Sequence, residues 1–172
     1  MHAEGLGLRL QSLACRRILE TGSFPRLRVF SFTLSVYGLL LPSFLNRHQS
    51  VVNLELYRDS SAPTVPSISV RLPNLRSFRG PSFFFTSIVA QAPLSNAPLS
   101  WNFGEDFGPI IDALERHSKE SLVSLTCMRR GNNVDLINYI STHIPNIQSL
   151  HIKSPGRSIN HADGVSVIAR QL

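Results

Sequence analysis

The scarcest features of this 172-residue chain are its two cysteines, two lysines and single tryptophan, and only 16% of its residues are charged. Cys15 and Cys127 form no CxxC pair and are too few for a disulfide framework. This excludes a small disulfide-stapled domain and fits free thiols in a reducing, intracellular compartment, cytoplasmic or nuclear. No Asn-x-Ser/Thr sequon is present, which agrees with that placement. The opening "MHAEGLGLRLQSLACRRI" carries Glu4 and no long apolar core, so it does not read as a signal peptide. Val29 to Leu45 holds 17 residues without a charge, the lower limit for a membrane span, but three Ser, Thr33, Gly38 and Pro42 interrupt it. No membrane helix is expected there.

Catalytic grammar is missing as well. The histidines, His2, His48, His117, His143, His151 and His161, show no i, i+4 pair and read as surface or capping residues. There is no GxSxG, P-loop or HExxH, and Gly5-Leu6-Gly7 is followed by Leu10 where a dinucleotide loop needs its third glycine. "EDFGPIIDALE" carries four carboxylates, which on a helix face solvent, with Glu115 placed to pair with Lys119 at i, i+4. The chain is therefore expected not to be an enzyme and to use no cofactor or metal. Fifteen Arg dominate the net charge of +6, but they are scattered, with Arg71, Arg76 and Arg79 together inside a stretch that has no acid between Asp59 and Glu105. An arginine-driven RNA binder is the least favoured alternative, because a nucleic-acid site shows a denser basic patch or a recognisable motif.

What the sequence does contain is a period. "FPRLRVFSF" begins at Phe24, "LPNLRSFRG" at Leu72 and "IPNIQSLHI" at Ile144, so the starts lie 48 and 72 residues apart, both multiples of 24. In each, a Pro stands two places before the first apolar residue of a strand-like unit. The residue before a Pro is pushed out of the α region and the Pro has no N–H for a helix, so each pair ends a return segment and opens an extended one. The units read apolar, two spacers, apolar, one spacer, apolar: Leu27-Phe30-Phe32, Val51-Leu54-Leu56, Leu75-Phe78-Gly80, Leu122-Leu125-Cys127 and Ile147-Leu150-Ile152. The double step between Leu75 and Leu122 is filled at its midpoint by Pro98-Trp101-Phe103, so that successive anchors step by 24, 24, 23, 24 and 25. Of eighteen key positions, only Pro98 and Gly80 are not apolar. A weaker copy stands at Ala3-Leu6-Leu8, and Leu172 lies where a further anchor would fall.

Such a unit is a short strand whose apolar face cannot be buried alone; stacked neighbours share a core and pair in a parallel sheet. Helices are expected over Gln11–Thr21, Leu39–His48, "FGPIIDALERHSKES" and "NVDLINYISTHIP". Arg58 to Arg71, with two prolines, reads as a non-helical return. The fold class is α/β: an irregular leucine-rich-repeat solenoid of about six units, anchored near 27, 51, 75, 98, 122 and 147, with the sheet concave and the returns convex. "GVSVIARQL" stops as a new unit would begin, so the 1–172 array reads as a fragment truncated at both ends, with open apolar edges.

These stretches, with "LPSFLNRHQSVVNLEL", resemble the repeat region of F-box-like leucine-rich-repeat proteins of mushroom-forming fungi over roughly Phe24 to Lys153. The resemblance implies protein recognition, with presentation of a target to a ubiquitin ligase. It implies a Skp1-type adaptor as partner only if an F-box lies outside this chain, since no Leu-Pro-x-Glu opening is present. The alternative is a stand-alone repeat scaffold without a ligase link. The family's asparagine after the strand is absent, so irregular turns are expected after the strands.

The positions alternating with the core nominate a partner-binding face: Asn53, Glu55, Tyr57, Ser77, Arg79, Ser100, Asn102, Thr126, Met128, His151 and Lys153. Tyr57, Arg79, Met128 and His151 are its expected anchors. Pro81 falls on the same face by alternation.

Overall fold

A computed structural model describes residues 6–8, 13–34, 39–58, 70–88, 92–101, 105–130, 133–153 and 166–170. Five of the six apolar triads place their last two positions on a strand, and the unit at Pro98 does not. In chain order the strands are β1 (Leu6–Leu8), β2 (Val29–Leu34), β3 (Asn53–Arg58), β4 (Ser77–Pro81), β5 (Asn96–Ser100), β6 (Ser124–Met128), β7 (Ser149–Lys153) and β8 (Ser166–Arg170). They make one sheet whose spatial order is the chain order. All pairings from β1 to β7 are parallel, with Phe30 beside Leu54 and Leu54 beside Phe78. The weak N-terminal copy takes its place in register, Leu6 opposite Phe30.

At the other end β8 pairs antiparallel to β7, with His151 opposite Ile168. This corrects the expectation of an open edge after β7: the "SVIAR" segment occupies that edge. Leu172 lies outside the described residues.

The returns between parallel strands are where the helices lie. α1 (Leu13–Thr21) buries Cys15 and Leu19 at i, i+4 and holds Arg16 and Glu20 outside as an ion pair of 2.8 Å. α2 (Leu41–Arg47) has Pro42 in its first turn and buries Leu41, Phe44 and Leu45. After β4 comes a 3₁₀ turn at Ser82–Phe84 and a one-turn helix, α3 (Phe85–Ile88). α4 (Gly108–Ser118) also starts on a proline, Pro109, and Asp106 Oδ1 accepts the Gly108 N–H at 2.9 Å. Its Ile110, Ile111 and Leu114 face the core. α5 (Val134–His143) buries Leu136 and Ile140. The proline-rich return after β3 lies largely outside the described residues.

The recurrent prolines have a common job. Phe24, Leu72 and Ile144 each accept, through their carbonyls, the N–H of the residue three further on, at 3.0, 3.1 and 3.3 Å. Pro25, Pro73 and Pro145 thus occupy the second position of a β-turn, where the fixed proline φ is already correct. The turn needs no proline, for His48 and Val51 close the same turn at 3.1 Å. His48 is no surface residue. It is 2% exposed, stacked on Phe44 with centroids 4.1 Å apart, and uses both ring nitrogens. Nδ1–H donates to the Phe44 carbonyl at 2.7 Å, and Nε2 accepts the Phe24 N–H at 2.9 Å. A neutral imidazole therefore ties the end of α2 to the turn before β2.

A ladder of carbonyls marks the start of each unit. Arg28 O accepts the N–H groups of Val52 and Asn53, Val52 O those of Arg76 and Ser77, and Arg76 O those of Ser95 and Asn96. Ser95 O serves Val123 and Ser124 in turn, and Val123 O serves Gln148 and Ser149. The equivalent anchors are thus 27, 51, 75, 94, 122 and 147, and their steps are 24, 24, 19, 28 and 25. The midpoint unit at Pro98 is corrected to Leu94-Ala97-Leu99, all three buried. The return that holds the 3₁₀ turn and α3 is short, and the next, which holds the 11-residue α4, is long. Burial of one face fixes the register whatever the length of the loops. Pro98 stands on the other face, where it offers no N–H to the ladder between its recorded rungs at Ser77–Asn96 and Gly80–Leu99. Trp101, just past the strand, is buried and donates its backbone N–H to Met128 O at 2.9 Å.

Gly80, the other non-apolar key position, is an inward site filled by its neighbours. A Cβ there would stand 3.1 Å from the Phe78 ring tip and 3.2 Å from Leu56 Cβ. The two inward rows join the helix residues in one core cluster.

Two substitutions test this register. Leu54→Asp places an unpaired carboxylate at a fully buried site and is expected to cost more than about 3 kcal/mol, whereas Glu55→Ala, on the outer face, costs less than about 1 kcal/mol in urea melts. Gly80→Val, which overfills a space already taken by Phe78 and Leu56, is expected to lower stability by about 1–3 kcal/mol in the same melts.

Candidate functional site

On the central strands Glu55, Arg79, Pro98, Thr126 and His151 each stand between two buried residues, and the outward residues at the strand ends have a buried neighbour on at least one side. Register then places these residues in rows across the strands. One row reads Asn53, Ser77, Asn96, Ser124 and Ser149, short uncharged hydrogen-bonding side chains. The middle row contains Glu55 beside Arg79 on β3 and β4, then Pro98, Thr126 and His151 on β5 to β7. The third row contains Tyr57 on β3, then Pro81 beside Ser100, Met128 and Lys153. Tyr57 and Met128 are among the few exposed large apolar side chains, at 42% and 41%.

Local bonds orient part of this face. Tyr57 donates its hydroxyl to Glu55 Oε2 at 2.7 Å. Asn96 Nδ2 reaches Ser77 Oγ at 3.4 Å, and Ser100 Oγ–H reaches the Gly80 carbonyl at 3.4 Å. His151 Nε2 and Ser149 Oγ share a hydrogen bond of 2.9 Å. Arg79 and Lys153 extend into solvent.

Ten of the eleven residues named from sequence therefore lie on described strands and on one face: Asn53, Glu55, Tyr57, Ser77, Arg79, Ser100, Thr126, Met128, His151 and Lys153. Asn102 lies outside the described residues. Pro81 has the expected register but is buried. Even spacing does not bring out Asn96 and Pro98, because it sets the β5 unit four residues too late. The signal was present in "LSNAPL", whose Leu94, Ala97 and Leu99 repeat the spacing of the other units.

The remaining chemistry-bearing residues do not converge. Among the described residues no three His, Cys, Asp or Glu side chains form a metal-binding group. The four carboxylates of "EDFGPIIDALE" have separate partners. Glu105 accepts from the buried Ser82 hydroxyl, Asp106 caps α4, Asp112 accepts the Tyr139 hydroxyl at 2.8 Å, and Glu115 pairs with Lys119 at 3.2 Å. Of the four, Asp106 is exposed and the other three are half-buried, so the set does not face solvent together as expected. The Asp112 bond, with desolvation, raises the Tyr139 hydroxyl above the ordinary tyrosine range and ties α5 to α4. Tyr139 also stacks on His143, whose Nδ1–H donates to the Tyr139 carbonyl at 2.9 Å. Cys15 and Cys127 are both free and buried, and burial pushes both thiols upward, with Arg129 only partly offsetting this at Cys127. Among the described residues no helix is long and apolar enough to cross a membrane; the uncharged Val29–Leu45 run is divided between β2 and α2.

Comparison with family models, curated proteins and solved structures finds no match to this chain.

The thiols give a direct check. A raised thiol pKa means less thiolate at any given pH below it. Native protein at mildly alkaline pH is therefore expected to leave both cysteines unmodified by a thiol-specific disulfide reagent over the time in which unfolded protein in guanidinium reacts at both. Fast native modification at Cys127, located by mass spectrometry, would contradict its burial.

Proposed function

We propose that the outward face of the parallel strands is a non-catalytic protein-recognition surface, and that the strand-and-return units are turns of an irregular leucine-rich-repeat solenoid with this face on its concave side. One observation carries the reading. Between β2 and β7 the outward side chains alternate with almost completely buried ones, so they are held at fixed spacing. Yet Tyr57, Arg79, Met128 and Lys153 stay exposed. A rigid row of side chains with an aromatic, an arginine and a methionine is the composition found at the centres of protein interfaces. Strands about 4.8 Å apart give β3 to β6 a width of roughly 15 Å, enough for a peptide segment or the edge of a small domain. The separate partners of the carboxylates and the low thiolate content support a non-enzymatic role. Two free buried thiols fit an intracellular, reducing compartment. Delivery of the bound protein to a ubiquitin ligase rests on the sequence resemblance alone and requires an F-box outside this segment.

Affinity capture with the full chain tests the face. Wild type is compared with Tyr57→Ala/Arg79→Ala and with Arg116→Ala/Lys119→Ala on the outer side of α4, after all three are shown to melt alike. The face variant is expected to lose a captured protein by about tenfold or more, as for truncated interface anchors, and the α4 variant to retain it. The reverse pattern would place recognition on the helix side.

A further inference from the structure

The net charge of the chain is not shared between its halves. Residues 1–104 hold ten Arg and four acids, and residues 105–172 hold seven cations and seven acids, so the whole of the +6 belongs to the first part. Of the four acids, Glu4 and Asp59 lie outside the described residues. Glu20 is paired with Arg16, and Glu55 accepts the Tyr57 hydroxyl. Four of these ten arginines stand where the chain turns into a strand. Arg26 and Arg28 precede β2, Arg71 and Arg76 precede β4, and all four are exposed. The carbonyl ladder makes Arg28 and Arg76 equivalent positions, with Val52 between them. Two strand spacings separate them by roughly 10 Å. Arg79 continues the group onto the outward face. Among the described residues none of these five is in an ion pair. Arg76 does bond through its guanidinium to the Pro93 carbonyl at 3.2 Å.

We infer that the leading edge of β2–β4, together with Arg79, binds an acidic, extended segment of a partner protein. The inference rests on the recognition reading above and specifies the chemistry of the partner. Unpaired guanidinium groups held on a rigid sheet edge favour carboxylates, which they can grip with two parallel hydrogen bonds. A peptide fits better than a nucleic acid for a local reason. Glu55 lies directly beside Arg79 in the ladder. A phosphate backbone carries charge at every step and would meet that carboxylate, whereas a peptide can set an uncharged residue against it. Among the described residues the arginines are not interleaved with a row of exposed aromatics on which successive bases could stack: Tyr57 is exposed, and Phe24 is packed on Phe44 and His48.

Fluorescence anisotropy on the full chain tests this, with three labelled probes: a short peptide of alternating Glu and Leu, its Gln–Leu counterpart and oligouridine. The Glu–Leu peptide is expected to bind wild type and the control Arg116→Glu/Arg130→Glu alike. It should bind Arg28→Glu/Arg76→Glu about tenfold or more weakly, and the Gln–Leu peptide should bind wild type about tenfold or more weakly. Circular dichroism melts confirm that the variants fold. Equal binding of the two peptides, or equal binding by the wild type and the edge variant, overturns the inference. Oligouridine displacing the Glu–Leu peptide in an Arg28- and Arg76-dependent manner overturns it in favour of nucleic acid. If binding depends on the arginines but is unchanged in Tyr57→Ala/Met128→Ala, the acidic-segment inference stands and the outward-face reading fails by itself.

Discussion

The structure depends on two rows of inward side chains that run across the strands. The first begins Phe30, Leu54, Phe78 and continues through Ala97, Leu125 and Leu150. The second begins Phe32, Leu56 and continues through Leu99, Cys127 and Ile152. All eleven are buried. A single strand of five or six residues would leave these groups in water, where each Leu, Ile or Phe loses about 1.5–3 kcal/mol of transfer free energy relative to burial. Only the neighbour on either side, and a helix laid over the row, remove them from it. That requirement imposes parallel pairing, a return segment on one side of the sheet, and an outer face with no cover within its own unit.

The parts of this arrangement that follow from local spacing were legible in the sequence. Strand positions, the parallel order, the inward register of β2, β3, β4, β6 and β7, and the helices begun by Pro42 and Pro109 all came from short-range patterns. The β5 unit did not, because the returns on its two sides differ in length and break the equal spacing. Chain length between strands is set by whichever return covers the core, a one-turn helix after β4 and a three-turn helix after β5, and nothing requires them to match. Trp101 shows a related point: a large apolar side chain just beyond the end of a strand is still buried, so apolarity alone does not mark a strand position. β8 could not be foreseen from the period, since an antiparallel partner keeps the alternation of a strand while leaving the repeat.

Gly80 and His48 belong to a different class of difficulty. Both break the apolar pattern, and both are satisfied by contacts from elsewhere in the fold. At Gly80 the Phe78 ring and the Leu56 side chain come close enough to occupy the space of a side chain. The apolar volume is present, contributed by neighbours. At His48 a polar ring is buried because each nitrogen has one backbone partner and the ring packs against Phe44 and Phe24. Removing one partner of such a site leaves a buried unsatisfied group, which costs about 1–3 kcal/mol, so the site is stable only as a complete set. Sequence shows the exception at such positions but not the contacts that resolve it.

The same division explains why the candidate surface was legible as a set while its emphasis was not. Alternation places Asn53, Glu55, Tyr57 and Arg79 outward wherever Leu54 and Phe78 are inward, and this needs no knowledge of the rest of the fold. The charge on the leading edge is another matter. Arg28 and Arg76 are far apart in sequence and ordinary in their local context. They become neighbours only because the strands stack in order, with one intervening strand whose equivalent residue, Val52, carries no charge. Stacking in sequence order thus turns a modest excess of arginine over acid in residues 1–104 into a localised field on one edge. A charge scattered along a chain can be focused by topology alone, and the core that enforces the topology carries none of it.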